Sequence, residues 1–359
     1  MGEQERLRRL AQLAVSVGGN VQPGQLVVIN GLVEFAPLVR EVARAAYRAG
    51  ARTVQPSYSD LHFTRAAVEL GPEAALGESM PWDLAMLDTL EREQGCFIKV
   101  TGDPEPELLA DLPGARVGRS TPREVRARWG RMVGERLVSW AIIAAPNAGW
   151  AQQVFGEPDV EALWQAVEKA VRLDRDDPVA AWRDHVARLR RIANALTERR
   201  FDSLRYRGPG TDFVVGLLPS SRWTGGDAVT TFGISHVPNL PTEEVFTSPD
   251  RRRAEGTLRS TMPLQLAGTV VRDLRFEFRG GQIVRVDASS GADVVRAELA
   301  TDANAVRLGE VSLVDGSSEV GKLGLIFATP SSMKTPPATL RTEQAWHIAW
   351  TMRPIEPRV

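Results

Sequence analysis

The chain has 359 residues, 43% of them apolar and 25% charged, with a formal net charge of -1. That length exceeds what one hydrophobic core organises, so two domains are expected, and the near-neutral charge gives no reason for a nucleic-acid partner. Cys96 is the only cysteine, which rules out an intrachain disulfide and a thiolate metal cluster. With four histidines (His62, His185, His236 and His347), any metal centre has to lean on carboxylates. The first ten residues are charged and polar, and no apolar run reaches 18 residues. A secretory signal and a membrane span are therefore not expected, and the cytoplasm is the default compartment.

In chain order, residues 3–17 carry helical spacing, with Leu7, Leu10, Leu13 and Ala14 on one side, until Gly18, Gly19 and the Pro23-Gly24 pair break it. Residues 25–30 read as a strand, 35–49 as an apolar, alanine-rich helix closed by Gly50, and 51–55 as a second strand. That strand, helix, strand unit predicts a parallel sheet with a right-handed crossover. The alternation continues with a helix opened by Pro81, a strand over 95–100, and a helix at Thr121-Pro-Arg-Glu with Pro122 at its first position. A buried strand over 137–144 and helices over 159–172 and 178–200 complete it. No Gly-x-Gly-x-x-Gly follows any strand and no Walker-type lysine loop is present, so a nucleotide-handling or carbohydrate-handling α/β enzyme is the weakest reading. Asn30-Gly31 could turn the chain at the carboxyl edge of a strand, where such sheets bind ligands, although a plain structural turn is the better reading.

After Arg200 the texture changes. Residues 204–208, 211–217, 228–232, 268–280 and 282–286 are strand-like, and Gly280-Gly281 suits a hairpin. Residues 292–300 form a short helix, and 307–314 leads into another strand. The expected fold class is α/β in two domains. Residues 1–205 form a doubly wound-like parallel domain, and 206–359 a mixed or antiparallel β-rich domain that holds the metal site.

The most informative stretch is Asn239-Leu-Pro-Thr-Glu-Glu-Val-Phe-Thr-Ser-Pro-Asp250. Glu243 and Glu244 are adjacent, so in extended chain they point to opposite faces and only one readily enters an interior site. Taken alone, a Glu-Glu pair is a solvated acidic turn. Joined to Arg307-Leu-Gly-Glu-Val-Ser-Leu-Val314 downstream, and to Gly324-Leu-Ile-Phe327, it resembles the signatures of the M29 family of metal-dependent aminopeptidases. The resemblance covers most of the second domain, and the alternating pattern of the first suits it. It implies hydrolysis of N-terminal residues from short peptides with a free amino terminus, in a homodimer, with two divalent ions (Zn, Co or Mg) as cofactors. Glu244 and Glu310 fall on the family's two glutamate ligands, Glu310 bridging both ions and counted as catalytic. Two neighbouring cations need carboxylates to offset their repulsion, and such a pair activates a shared water. Glu243 takes a supporting role, and His236 matches no ligand of the family.

One segment departs from the pattern. The family's third signature, Asn-Thr-Leu-Phe-Asp-Glu-Asn-Ala-Ala-Cys-His-Ile-Ala, carries a histidine ligand, and a later His-Val-Asp segment supplies two more. Here Phe327 is followed by Ala328-Thr-Pro-Ser-Ser-Met-Lys-Thr-Pro-Pro-Ala-Thr-Leu-Arg341, with Thr339 at the ligand position and no His-Val-Asp before Val359. Codons for residues 328–341 can be chosen that, read in a shifted frame, spell the missing signature in register. Residues 328–359 are therefore expected to be a frameshifted tail, and the bases of the gene at those codons decide it. His347 lies eight residues beyond the expected ligand and does not replace it. The rival reading is a catalytically inactive or truncated homologue that lacks the histidine and aspartate ligands.

Overall fold

The computed structural model describes residues 1–261, 264–266, 269–300, 303–315, 318–323 and 325, so the expected shifted-frame tail lies outside the described residues. The elements begin with α1 (Glu3–Leu13), β1 (Leu26–Leu32), α2 (Ala36–Arg48), β2 (Thr53–Ser59), α3 (Leu61–Leu70), α4 (Pro81–Arg92) and β3 (Cys96–Thr101). Then come α5 (Gly114–Arg119), α6 (Arg123–Gly134), β4 (Ser139–Ala144), α7 (Ala148–Phe155), α8 (Val160–Ala170) and α9 (Pro178–Arg199). Strands dominate the rest: β5 (Ser203–Gly208), β6 (Thr211–Leu217), β7 (Thr224–Gly225), β8 (Ala228–Val229), β9 (Ser235–His236) and β10 (Asn239–Leu240). They continue as β11 (Glu244–Thr247), β12 (Pro249–Arg259), β13 (Leu264–Leu266), β14 (Thr269–Val271), β15 (Arg275–Arg279) and β16 (Gln282–Asp287). The short helix α10 (Ala292–Leu299), the strand β17 (Val311–Val314) and the turn of helix α11 (Glu319–Leu323) follow.

Two compact units result. The first comprises Met1–Asp184 and Asp227–Thr242, and the second His185–Gly226 with the described residues of 243–325. In the first, a five-stranded sheet has the order β10-β4-β3-β1-β2, all parallel. β1, β3 and β4 are buried on both faces, as expected of a sheet covered on both sides, whereas the edge strand β2 is largely exposed. On one face Val27, Ile29, Ile98, Ala141 and Ile143 are completely buried. Gly18 and Gly19 let the chain after α1 lie against that face, where a Cβ would meet Ala141 or the Cys96 sulfur. On the other face Val28, Leu87, Leu90, Met132 and Trp140 form a core with Phe97 and Trp129.

In the second unit a five-stranded antiparallel sheet, β16-β15-β12-β6-β5, packs Phe213, Val215, Leu258, Phe276 and Phe278 around the α9 residues Leu189 and Ala193. A smaller antiparallel sheet, β17-β11-β7, carries the acidic stretch.

Local chemistry departs from the sequence reading at four places. Pro122 stands one residue before α6 and not at its first position; the Ser79 hydroxyl accepts from the Glu124 and Val125 amides, a cap supplied by a distant segment. The strand expected over 228–232 pairs only at Ala228–Val229, because the Thr230 carbonyl and hydroxyl accept bonds that fold the chain back at Gly233. The run expected over 268–280 is interrupted at Asp273, whose φ of 52° no strand accommodates. Helices α3, α5 and α7 were not expected. The α3 segment carries apolar residues at helical spacing, Phe63, Ala66, Ala67 and Leu70, that stay exposed; α5 buries none of its residues, and α7 is short, started by the Asn147 side chain accepting from the Trp150 amide.

Candidate metal centre

The Pro-Thr-Glu-Glu segment enters β11 at Glu244, and the two carboxylates part company there. Glu243 and Glu244 are both buried, at 8% and 4% exposure, yet they meet different neighbours. Glu243 Oε2 lies 3.5 Å from His185 Nε2 on α9. Glu244 belongs to the opposite face, as strand alternation requires.

The β11–β17 ladder decides what Glu244 meets. Its register pairs Glu244 with Val314, Phe246 with Ser312 and Thr247 with Val311, which puts Glu244, Phe246 and Ser312 on one face of the small sheet. Glu310 immediately precedes β17 and is half-buried. Burial pushes the Glu244 carboxyl up to about 8, the negative charge of Glu310 pushes it the same way, and the Ser312 side chain pulls it back. Glu244 Oε1 is buried and has no hydrogen-bond partner among the described residues. A buried carboxylate beside a second acid is costly unless a proton or a cation neutralises it. Two carboxylates offer hard oxygen donors, the type that divalent cations of this class accept. Among the described residues no group of three or more His, Cys, Asp or Glu gathers for a metal ion. The two glutamates fit part of such a centre, and Thr339 and His347 lie outside the described residues.

The sequence reading missed two contributors. Ser312 follows Glu310 by two residues, so strand alternation alone could have put it on the same face. His185 sits on a long charged helix 58 residues before Glu243, and no local signal marks it. His236, which matches no ligand of the family, is buried on β9 near Trp140 at 6.3 Å between ring centroids, and neither ring nitrogen has a partner among the described residues. Burial brings its pKa down to about 4.

Comparison with known proteins places these features in context. Residues 3–330 match the family model described as thermophilic metalloprotease (M29). Aminopeptidase T of Thermus thermophilus is 39% identical over 330 residues, covering 90% of this chain and 81% of the relative. Aminopeptidase 2 of Geobacillus stearothermophilus is 37% identical over 330 residues, with 90% and 80% covered, and AmpS of Bacillus subtilis is 33% identical over 329 residues, with the same shares. The solved structure of wild-type AmpT from Thermus thermophilus superposes with a TM-score of 0.85 at 36% identity, covering 91% of this chain and 82% of that one.

Proposed function

Because the chain belongs to the thermophilic metalloprotease (M29) family, we propose that it is a metal-dependent aminopeptidase that removes N-terminal residues from short peptides. One observation carries the assignment of the site: a buried, unpartnered Glu244 oxygen facing the negative charge of Glu310. The relatives named aminopeptidase T and aminopeptidase 2 support the substrate class. Glu244 would act as a terminal ligand and Glu310 as the ligand shared between two divalent ions, zinc, cobalt or magnesium. When bound, such a pair supplies an activated water and polarises the scissile carbonyl. Glu243, held by His185 on the reverse side of the strand, fixes the direction in which Glu244 points. The Ser312 side chain stabilises the charged form of Glu244 and so favours the state that accepts a cation. We assign the enzyme to the cytoplasm as a homodimer; among the described residues no helix is long and apolar enough to cross a membrane.

A second reading, a catalytically inactive homologue, is favoured by the third signature being absent from 328–341 and by the family match stopping at residue 330. Hydrolysis of leucyl and arginyl amides by this chain, beside a version with the alternative frame restored after residue 327, separates the two. The expected outcome is cobalt-, zinc- or magnesium-dependent hydrolysis that is strong in the restored version and weak in the chain as it stands. Absence of hydrolysis from both at every metal concentration sinks the peptidase reading.

A further inference from the structure

The parallel sheet of the first unit carries polar side chains where an apolar face should continue. Register pairs Ser57 of β2 with Asn30 of β1, Asn30 with Lys99 of β3, Lys99 with Ile142 of β4, and Ile142 with Asn239 of β10. Laterally paired residues share a face, so Ser57, Asn30, Lys99 and Asn239 form one row across the sheet. The row lies on the face of Val28, Phe97 and Trp140, one step nearer the carboxyl ends of the strands than the core that α4 and α6 cover. The strand order makes β1–β3 the place where the chain reverses its direction of build, since β2 lies on one side of β1 and β3 on the other. Sheets of this kind bind ligands at the carboxyl ends beside that reversal. Asn30 and Lys99 are the pair that stands there.

Two of these side chains are left incomplete. Lys99 is half-buried and has neither an ion pair nor a hydrogen bond among the described residues; burial lowers its pKa, and no acid offsets it. Asn239 is 5% exposed, and its Oδ1 is buried without a partner. Asn30, by contrast, is pinned: its Nδ2 donates to the Ser57 carbonyl at 3.1 Å. Buried polar groups in native proteins are normally satisfied, so an unpaired ammonium and an orphaned amide oxygen on one row at the carboxyl ends of the strands point to a missing partner. That partner must bring negative charge to Lys99 and an N–H donor to Asn239 Oδ1. The backbones of Lys99 and Asn239 are two strand spacings apart, about 10 Å, which an amino-acid residue with its terminal carboxylate can span.

We propose that Lys99 and Asn239 form a binding site in the first unit for the terminal carboxylate and last amide N–H of a short peptide. The identity of the ligand rests on the peptidase reading above; the polar row does not. The test uses the full chain under chelator, where no hydrolysis intervenes, and titrates Leu-Gly, Leu-Gly amide and inorganic phosphate calorimetrically. Leu-Gly should bind about tenfold or more tightly than its amide, the scale of one charge-assisted contact. Lys99→Met should abolish that preference while keeping or raising the melting temperature, since it removes an unpaired buried charge. Asn239→Ala should weaken acid and amide alike and leave the preference intact. Equal binding of acid and amide, a preference that survives in Lys99→Met, or no binding at millimolar peptide would overturn the site. Phosphate binding as tightly as Leu-Gly in a Lys99-dependent manner would overturn the carboxylate assignment. None of these outcomes bears on metal-dependent hydrolysis, which the amide assay tests separately.

Discussion

Glu244 spends its time in the protein next to another acid and out of reach of water, so its energetics depend on what neutralises it. Replacing it with glutamine keeps the shape and removes the repulsion from Glu310. Glu244→Gln is expected to stabilise the chelated protein at pH 9 by on the order of 1 kcal/mol or more, and to erase the rise in melting temperature that divalent ions give the parent. Thermal melts with and without cobalt measure both effects; an undiminished rise in the variant would remove Glu244 from the centre. His236 makes the opposite kind of prediction. Its pKa falls from the usual 6.5 to about 4, so between those values the unfolded chain binds a proton that the folded chain refuses. Its contribution is therefore complete above about pH 6.5 and is lost as pH falls toward 4, by up to about 3 kcal/mol. His236→Phe should flatten that part of the pH–stability curve, read from urea midpoints at half-unit intervals.

At the scale of elements, the tie between α1 and α8 runs through Arg6, buried at 6% exposure. Its terminal nitrogens donate to Glu161 at 2.5 and 2.6 Å, and its Nε donates to Glu168. Arg6→Ala leaves the half of this cluster that is out of water without its cation and is expected to cost about 2 kcal/mol, measurable as a lower denaturant midpoint at unchanged slope. Gly256 makes a sharper case. It sits inside β12 at φ 103°, and a Cβ there would stand 2.2 Å from the Asp212 carbonyl oxygen. Gly256→Ala should cost about 3 kcal/mol or more, because backbone and not a flexible side chain has to move. These two residues also show what sequence reading can reach. The helix α1 was legible from its leucine spacing and α4 from Pro81, since local pattern alone determines them. The positive φ at Gly256 and the break at Asp273 were not, because a positive φ at one residue is imposed by strands paired from elsewhere.

For the molecule as a whole, the α/β character with a parallel sheet followed by antiparallel sheets was legible because hydrophobic period and turn chemistry change abruptly near residue 200. The candidate centre was legible only in part. Glu244 and Glu310 stand out through the wording of their segments, whereas Ser312 and His185 become partners only after β11 meets β17 and α9 packs. Lys99, Asn30 and Asn239 come from three segments that no local pattern links, and only the register of four strands aligns them. At this scale, restoring the alternative frame after residue 327 is expected to raise both divalent-ion affinity and amide hydrolysis by at least about a hundredfold, the effect of completing a ligand set. Calorimetric titration with cobalt measures the first and initial rates measure the second. Equal affinity in the two versions would show that the added residues do not reach the ion.

The adjacency of Glu243 and Glu244 has a consequence for how the chain finds its native pairing. Slipping β11 by a single residue against β17 would bring Glu243 into the place of Glu244 and carry Glu244 on to the place of Val245, so the mispaired sheet would still present a carboxylate toward Glu310. A cation offered during refolding could therefore reward the wrong alignment almost as well as the right one. What such a decoy lacks is an imidazole waiting for the other acid. His185 thus serves as the proofreader of the alignment, and its loss should show first as a mixture of refolded species and only afterwards as a loss of stability.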